Sequence, residues 1–106
     1  MYFICVAACP TGVAHTYMAA ESLEVLGEKR GHEIKVETQG SLGAENIITD
    51  EDLARADGVI LAADVAINNK ERFNGMITLE CSVSDPIKFG DAVFDAIEQE
   101  VANGSL

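Results

Sequence analysis

The chain has 106 residues, 48% hydrophobic and 24% charged, which suits one domain around one core and excludes a disordered or fibrous chain. Eighteen Asp and Glu against seven Lys and Arg leave a formal net charge of −11, which argues against a phosphate-neutralising nucleic-acid binder and against docking on anionic lipid. No apolar run approaches a membrane span and the N-terminus lacks a signal peptide's basic n-region, so a cytoplasmic protein without direct membrane insertion is expected.

Tyr2 to Ala8 is a continuous apolar run, the pattern of a strand buried on both faces, and it stops at Cys9-Pro10-Thr11-Gly12. A helix is predicted from about Ala14 to Lys29, with Tyr17, Ala20, Leu23, Glu24 and Gly27 on one side, widened by Met18, Val25 and Leu26. Gly27 and Gly31 bracket its basic end at Lys29-Arg30, which suits the negative pole of the helix dipole. His32, in the following turn, is expected to face solvent. Glu33 to Thr38 alternates charged and apolar residues as a second strand nearer an edge, and Gln39 to Gly43 reads as a loop.

Thr49 and Asp52, three residues apart with acids between them, predict a capped short helix. Gly58 to Ala63 is a third buried strand and Met76 to Glu80 a weaker fourth. A closing helix starts at Ser84-Asp85-Pro86, with Phe94, Ile97 and Val101 at helical spacing and Ile87, Phe89 and Val93 on the same side. Residues 1–102 thus form one domain, with Asn103 to Leu106 a tail or the start of a linker. Strands alternating with helices call for an α/β fold: a three-layer α/β/α sandwich around a small, mainly parallel sheet.

In such a sheet, ligands bind beyond the carboxyl ends of the strands. Three segments lie there: Cys9 to Thr16, Gln39 to Ser41, and Asp64 to Ile67. The first places a thiol at a strand end, a glycine in the turn and then a helix start, whose outward N–H groups can cradle an anion. The same positive pole favours a thiolate, so Cys9 is the candidate nucleophile for attack on phosphorus, although a strand-end cysteine also serves as a small core residue. Cys5, inside the strand, reads as core, and Cys81 as a packing or surface thiol. Three cysteines without paired spacing read as reduced thiols, and Cys5-x3-Cys9 is no metal knuckle, so neither a metal nor a cofactor is expected. His15 could donate to a bound oxyanion or only fill the helix start.

Cys9-Pro10-Thr11-Gly12-Val13-Ala14-His15-Thr16-Tyr17-Met18-Ala19-Ala20, with Val36 to Ser41, Ala56 to Asp64 and Arg72-Phe73-Asn74-Gly75, resembles the fructose-family IIB domain of the bacterial sugar phosphotransferase system. The resemblance covers nearly the whole chain and implies a four-stranded parallel sheet with flanking helices. It also implies that Cys9 accepts phosphate from the phosphohistidine of a IIA partner. Cys9 then passes it to a sugar, fructose or a related hexose, held by a membrane-embedded IIC partner that keeps the domain at the inner face of the membrane. The phosphate-binding loop carries over to Pro10, Thr11, Gly12, Val13, Ala14, His15 and Thr16, with Gln39, Gly40, Ser41, Asp64 and Arg72 as a secondary site. Where family members usually have a Lys after the Arg-Phe-x-Gly stretch, this chain has Met76. One alternative is a regulatory phosphocysteine module without sugar transfer. Another is a small cysteine-dependent phosphatase, but that class keeps an Arg six residues after its thiolate, where this chain has His15.

Overall fold

A computed structural model describes residues 1–10, 13–40 and 43–104. Strand β1 (Tyr2–Ala8) is buried along its whole length, as its unbroken apolar sequence requires. It pairs in parallel with β2 (Glu33–Gly40) on one side and β4 (Gly58–Ala63) on the other, and β4 pairs in parallel with β5 (Thr78–Cys81). A short strand β3 (Gly43–Glu45) adds antiparallel to β2, giving the order β3-β2-β1-β4-β5. The sheet therefore has five strands rather than four. The segment expected to be a loop from Gln39 to Gly43 instead holds the end of β2 and the start of β3. β3 carries no apolar alternation because all three of its residues are exposed.

On one face of the sheet lie α1 (Val13–Lys29), α3 (Asp85–Lys88) and α4 (Gly90–Asn103). Their core joins Phe3, Cys5 and Ala7 of β1 to Ala19, Ala20 and Leu23 of α1 and to Val93, Phe94 and Ile97 of α4. Each of the large side chains buried there stabilises the fold by about 1.5–3 kcal/mol. The other face carries α2 (Asp50–Arg55) and a 3-10 turn at Lys70–Phe73; Leu53 and Phe73 from these elements, with Ala56, Ile67 and Met76 from the segments beside them, pack on Tyr2, Ile4, Val6, Val59 and Leu61. Met76 thus serves as packing.

The buried stripe of α1 is Thr16, Ala19, Ala20, Leu23 and Gly27, whereas Tyr17, Met18 and Val25 point outward. Gly27 is the point of closest approach, since a Cβ there would run into the side chain of Ile34 on β2. The helix ends as a Schellman motif: Gly31 takes φ 81°, its N–H donates to the Glu28 carbonyl, and the N–H of His32 donates to that of Gly27.

His32 is not a solvent-facing turn residue. Its ring sits between Phe3 and Phe94, and its Nε2 lies 2.7 Å from Glu98 Oε2, because the motif turns the side chain back over the core. The single closing helix predicted from Pro86 is two helices. Phe89 breaks it at φ −132° and points outward at 62% exposure, outside the core; the Leu26 side chain occupies the space a Cβ at Gly90 would need. α4 runs through Asn103 to a left-handed cap at Gly104, so the predicted tail begins inside the helix.

Candidate functional site at the carboxyl end of the sheet

β1, β2 and β4 all end at the same edge of the sheet, where they enclose a pocket of about 260 Å³. Ala8, Cys9 and Pro10 form one wall, Gln39 and Gly40 the second, and Val65, Ala66 and Asn68 the third. The three segments expected from the strand ends therefore meet around one thiol. Cys9 is half-buried at the mouth, one residue beyond β1 and four before the start of α1.

Burial disfavours the thiolate of the other two cysteines. Burial raises the Cys5 thiol far above its usual range inside the core. Burial also pushes Cys81 up to about 12, helped by the charges of Asp85 and Asp64. Among the described residues no group of three His, Cys, Asp or Glu could hold a metal ion, and no helix is long and apolar enough to cross a membrane.

The remaining expected residues divide by position. Ala14 and His15 are exposed on the first turn of α1, whereas Thr16 is buried beneath it. Thr11, Gly12, Ser41 and the side chain of Val13 lie outside the described residues. Asp64 follows β4 with its N–H on the Ala8 carbonyl, and its Oδ1 accepts the Val83 N–H at 3.1 Å, tying the turn after β5 to the site.

Arg72 does not line the pocket. Its guanidinium is held by Glu37, with Nη1 to Oε1 at 2.8 Å and Nη2 to Oε2 at 2.6 Å, and it lies over the Phe73 ring. The sequence offered no reason to pair two residues that far apart. All three arginines are in fact committed to carboxylates: Arg30 to Asp91, Asp95 and Glu98, Arg55 to Glu33, and Arg72 to Glu37.

Beside Gln39, which the sequence singled out, three residues it missed, Glu33, Lys35 and Glu37, sit on the same side of β2. Glu33, Lys35, Glu37 and Gln39 project from the strand toward the opposite layer and bond in turn to Arg55, Asp52, Arg72 and Asn68. Asp52 closes a capping box with Thr49 and also accepts from Tyr2 Oη, so the predicted cap doubles as a rung of this ladder. Glu37 is 1% exposed. Burial pushes its carboxyl upward, but hydrogen bonds from Arg72, Gln39 and the Ile48 N–H outweigh that and hold it below the usual range. The signal that could have found it is a polar residue at every second position of a strand, which reads as a solvent face unless counter-charges lie in the facing layer.

Residues 4–96 match the family described as the lactose/cellobiose specific IIB subunit of the PTS system. The chain is 52% identical over 99 residues to the Escherichia coli K12 protein named PTS system fructose-like EIIB component 2, covering 93% of each. It is 49% identical over 90 residues to the PTS system 2-O-alpha-mannosyl-D-glycerate-specific EIIABC component of the same strain, where it spans 14% of the longer protein. Among solved structures, a protein described as a predicted fructose specific IIB from Escherichia coli superposes with a TM-score of 0.88 at 41% identity, covering 94% of this chain and 88% of that one.

Proposed function

The chain belongs to the IIB family of the sugar phosphotransferase system, among its fructose-type members, and from that premise we propose that Cys9 is its phosphoryl carrier. Cys9 accepts the group from the phosphohistidine of a IIA partner and gives it to a sugar, fructose or a related hexose, held by a membrane-embedded IIC partner. The domain would then work at the inner face of the membrane through IIC. The observation that carries this reading is the convergence of three strand ends on Cys9, while burial keeps Cys5 and Cys81 protonated.

In the first step the Cys9 sulfur attacks phosphorus as the bond to the donor imidazole breaks, and the proton given up by the thiol is matched by one taken up at the donor ring, which leaves neutral. In the second, a sugar hydroxyl attacks, its proton is lost, and the thiolate leaves. Both are in-line displacements through a loose transition state, in which charge on the equatorial oxygens is met by fixed N–H donors. The first turn of α1 begins at Val13, four residues after Cys9, and its unpaired N–H groups are the donors this reading calls on. Docking brings donor and acceptor into line and so supplies much of the rate.

Hydrolysis as a phosphatase would need a cation on the transferring group. His15 occupies the position where phosphatases keep an Arg, and each arginine of this chain is already paired. The test is mass spectrometry after incubation with a phosphorylated IIA protein. One HPO3 should be gained, mapped to Cys9, lost in Cys9→Ser and kept in Cys5→Ser. An adduct that survives Cys9→Ser would overturn the assignment. Release of inorganic phosphate from the loaded protein in the absence of a sugar acceptor, faster than transfer, would favour the phosphatase instead.

A further inference from the structure

We propose that Gln39 and the buried Glu37 are positioning residues for Cys9: Glu37 orients the Gln39 amide, and Gln39 holds the Asn68 peptide in place as the far wall of the Cys9 pocket. The proposal deepens the phosphocysteine reading above and rests on it for its kinetic arm.

The geometry leaves the Gln39 side chain one orientation. Its Nε2 donates to Glu37 Oε2 at 2.8 Å and to the Asn68 carbonyl at 3.1 Å, while its Oε1 accepts the Asn68 N–H at 2.9 Å. An ionised carboxylate only accepts, so the nitrogen of the amide must face Glu37, and the oxygen is then left for the Asn68 N–H. A neutral side chain at 37 would no longer enforce that choice. Glu37 is itself fixed from three sides, by Arg72, by the Ile48 N–H at 2.9 Å and by Gln39. Asn68 sits between Val65-Ala66, which face Cys9, and Asn69, whose left-handed φ of 62° starts the 3-10 turn.

Among the described residues these four rungs join β2 to the facing layer, and of the four the Gln39 rung reaches the pocket. A buried ion pair stabilises a fold little more than apolar residues of the same volume would. Its placement directly behind this rung is what a device for fixing pocket width requires. Misplacing a reacting group by a fraction of an ångström lowers the rate of a step that depends on alignment.

The test uses the full chain with Gln39→Leu, which leaves the Glu37–Arg72 pair in place, together with Glu37→Gln and the double variant. Three readouts are taken at a temperature where circular dichroism shows each variant folded: the Asn68 amide resonance, the rate of Cys9 alkylation by iodoacetamide, and single-turnover transfer from a phosphorylated IIA protein. The expected result for Gln39→Leu is a shifted, less protected Asn68 amide. Its alkylation rate should change, and the maximal transfer rate should fall about tenfold with half-saturation by the donor unchanged. Glu37→Gln should move the same three readouts, and the double variant should fall no further than the worse single one. Transfer within about twofold of wild type in folded Gln39→Leu would overturn the proposal, as would additive losses in the double variant. If wild-type Cys9 takes up no phosphate, the phosphocysteine reading fails on its own. Alkylation and the Asn68 amide then still decide the positioning roles: responses that move together support them, and an unmoved Asn68 refutes them.

Discussion

Glu37 and Arg72, on elements of adjacent layers, form a two-point ion pair at 2.8 and 2.6 Å, with the carboxylate shut off from solvent. Removing one partner leaves the other charge buried and uncompensated. Arg72→Met should therefore cost about 3–5 kcal/mol of stability, read as a lower urea midpoint. Glu37→Met/Arg72→Met should recover part of that loss but not all of it, because the Ile48 N–H and the Gln39 amide lose their acceptor. A cost below about 1 kcal/mol for Arg72→Met would mean the pair is solvated in solution.

Acid should weaken the fold through this ladder and through Glu98 on the other face of the sheet. Hydrogen bonds from Lys35 and from the Thr49 N–H hold the Asp52 carboxyl well below its usual range. At Glu98, burial pushes upward but the bonds from His32 and Arg30 prevail and lower it, as the partners of Glu37 do there. Groups lowered in the folded state contribute stability that is complete above their unfolded values, about 4, and that fades as pH falls toward the folded ones. Urea midpoints should hold near neutrality and decline below about pH 5. Asp52→Asn should be less stable at pH 7 and show a shallower decline; parallel curves for variant and wild type would remove Asp52 from this account.

The three thiols should separate by reactivity. With Cys5 and Cys81 kept protonated by burial, iodoacetamide at pH 8 should modify Cys9 first in the native protein, and all three only after unfolding. Peptide mass spectrometry over a time course reads this directly. Labelling of Cys81 as fast as Cys9 would show that β5 opens at the sheet edge.

Much of the architecture was legible because its signals are local. Gly58–Ala63 was bounded to the residue by an apolar run between polar neighbours, and Thr49 with Asp52 announced a cap that forms as expected. The elements that escaped depend on partners distant in sequence. β3 exists because Gly43 to Glu45 pair with Thr38 to Gly40, not because of any pattern of its own. Helical spacing continued through Phe89 although Leu26 crowds Gly90 and the helix breaks there. At the site, strand-end reasoning placed Cys9, Gln39 and Gly40 on one pocket, but Arg72 carried a motif resemblance without its geometry. Its partner Glu37 was hidden in what looked like the wet face of an edge strand. His32 was misjudged for the same reason: Glu98 and the two phenylalanine rings that enclose it come from elsewhere in the chain.

The two rims of the sheet bear on how such a domain keeps company. One rim is three exposed residues running against their neighbour, and the other is four residues with Lys70 and Glu80 paired across its outward face. Short, charged borders give a foreign strand little length to register against. Copies can therefore be crowded at high concentration, or strung beside other folded units in one polypeptide, without stitching their sheets together.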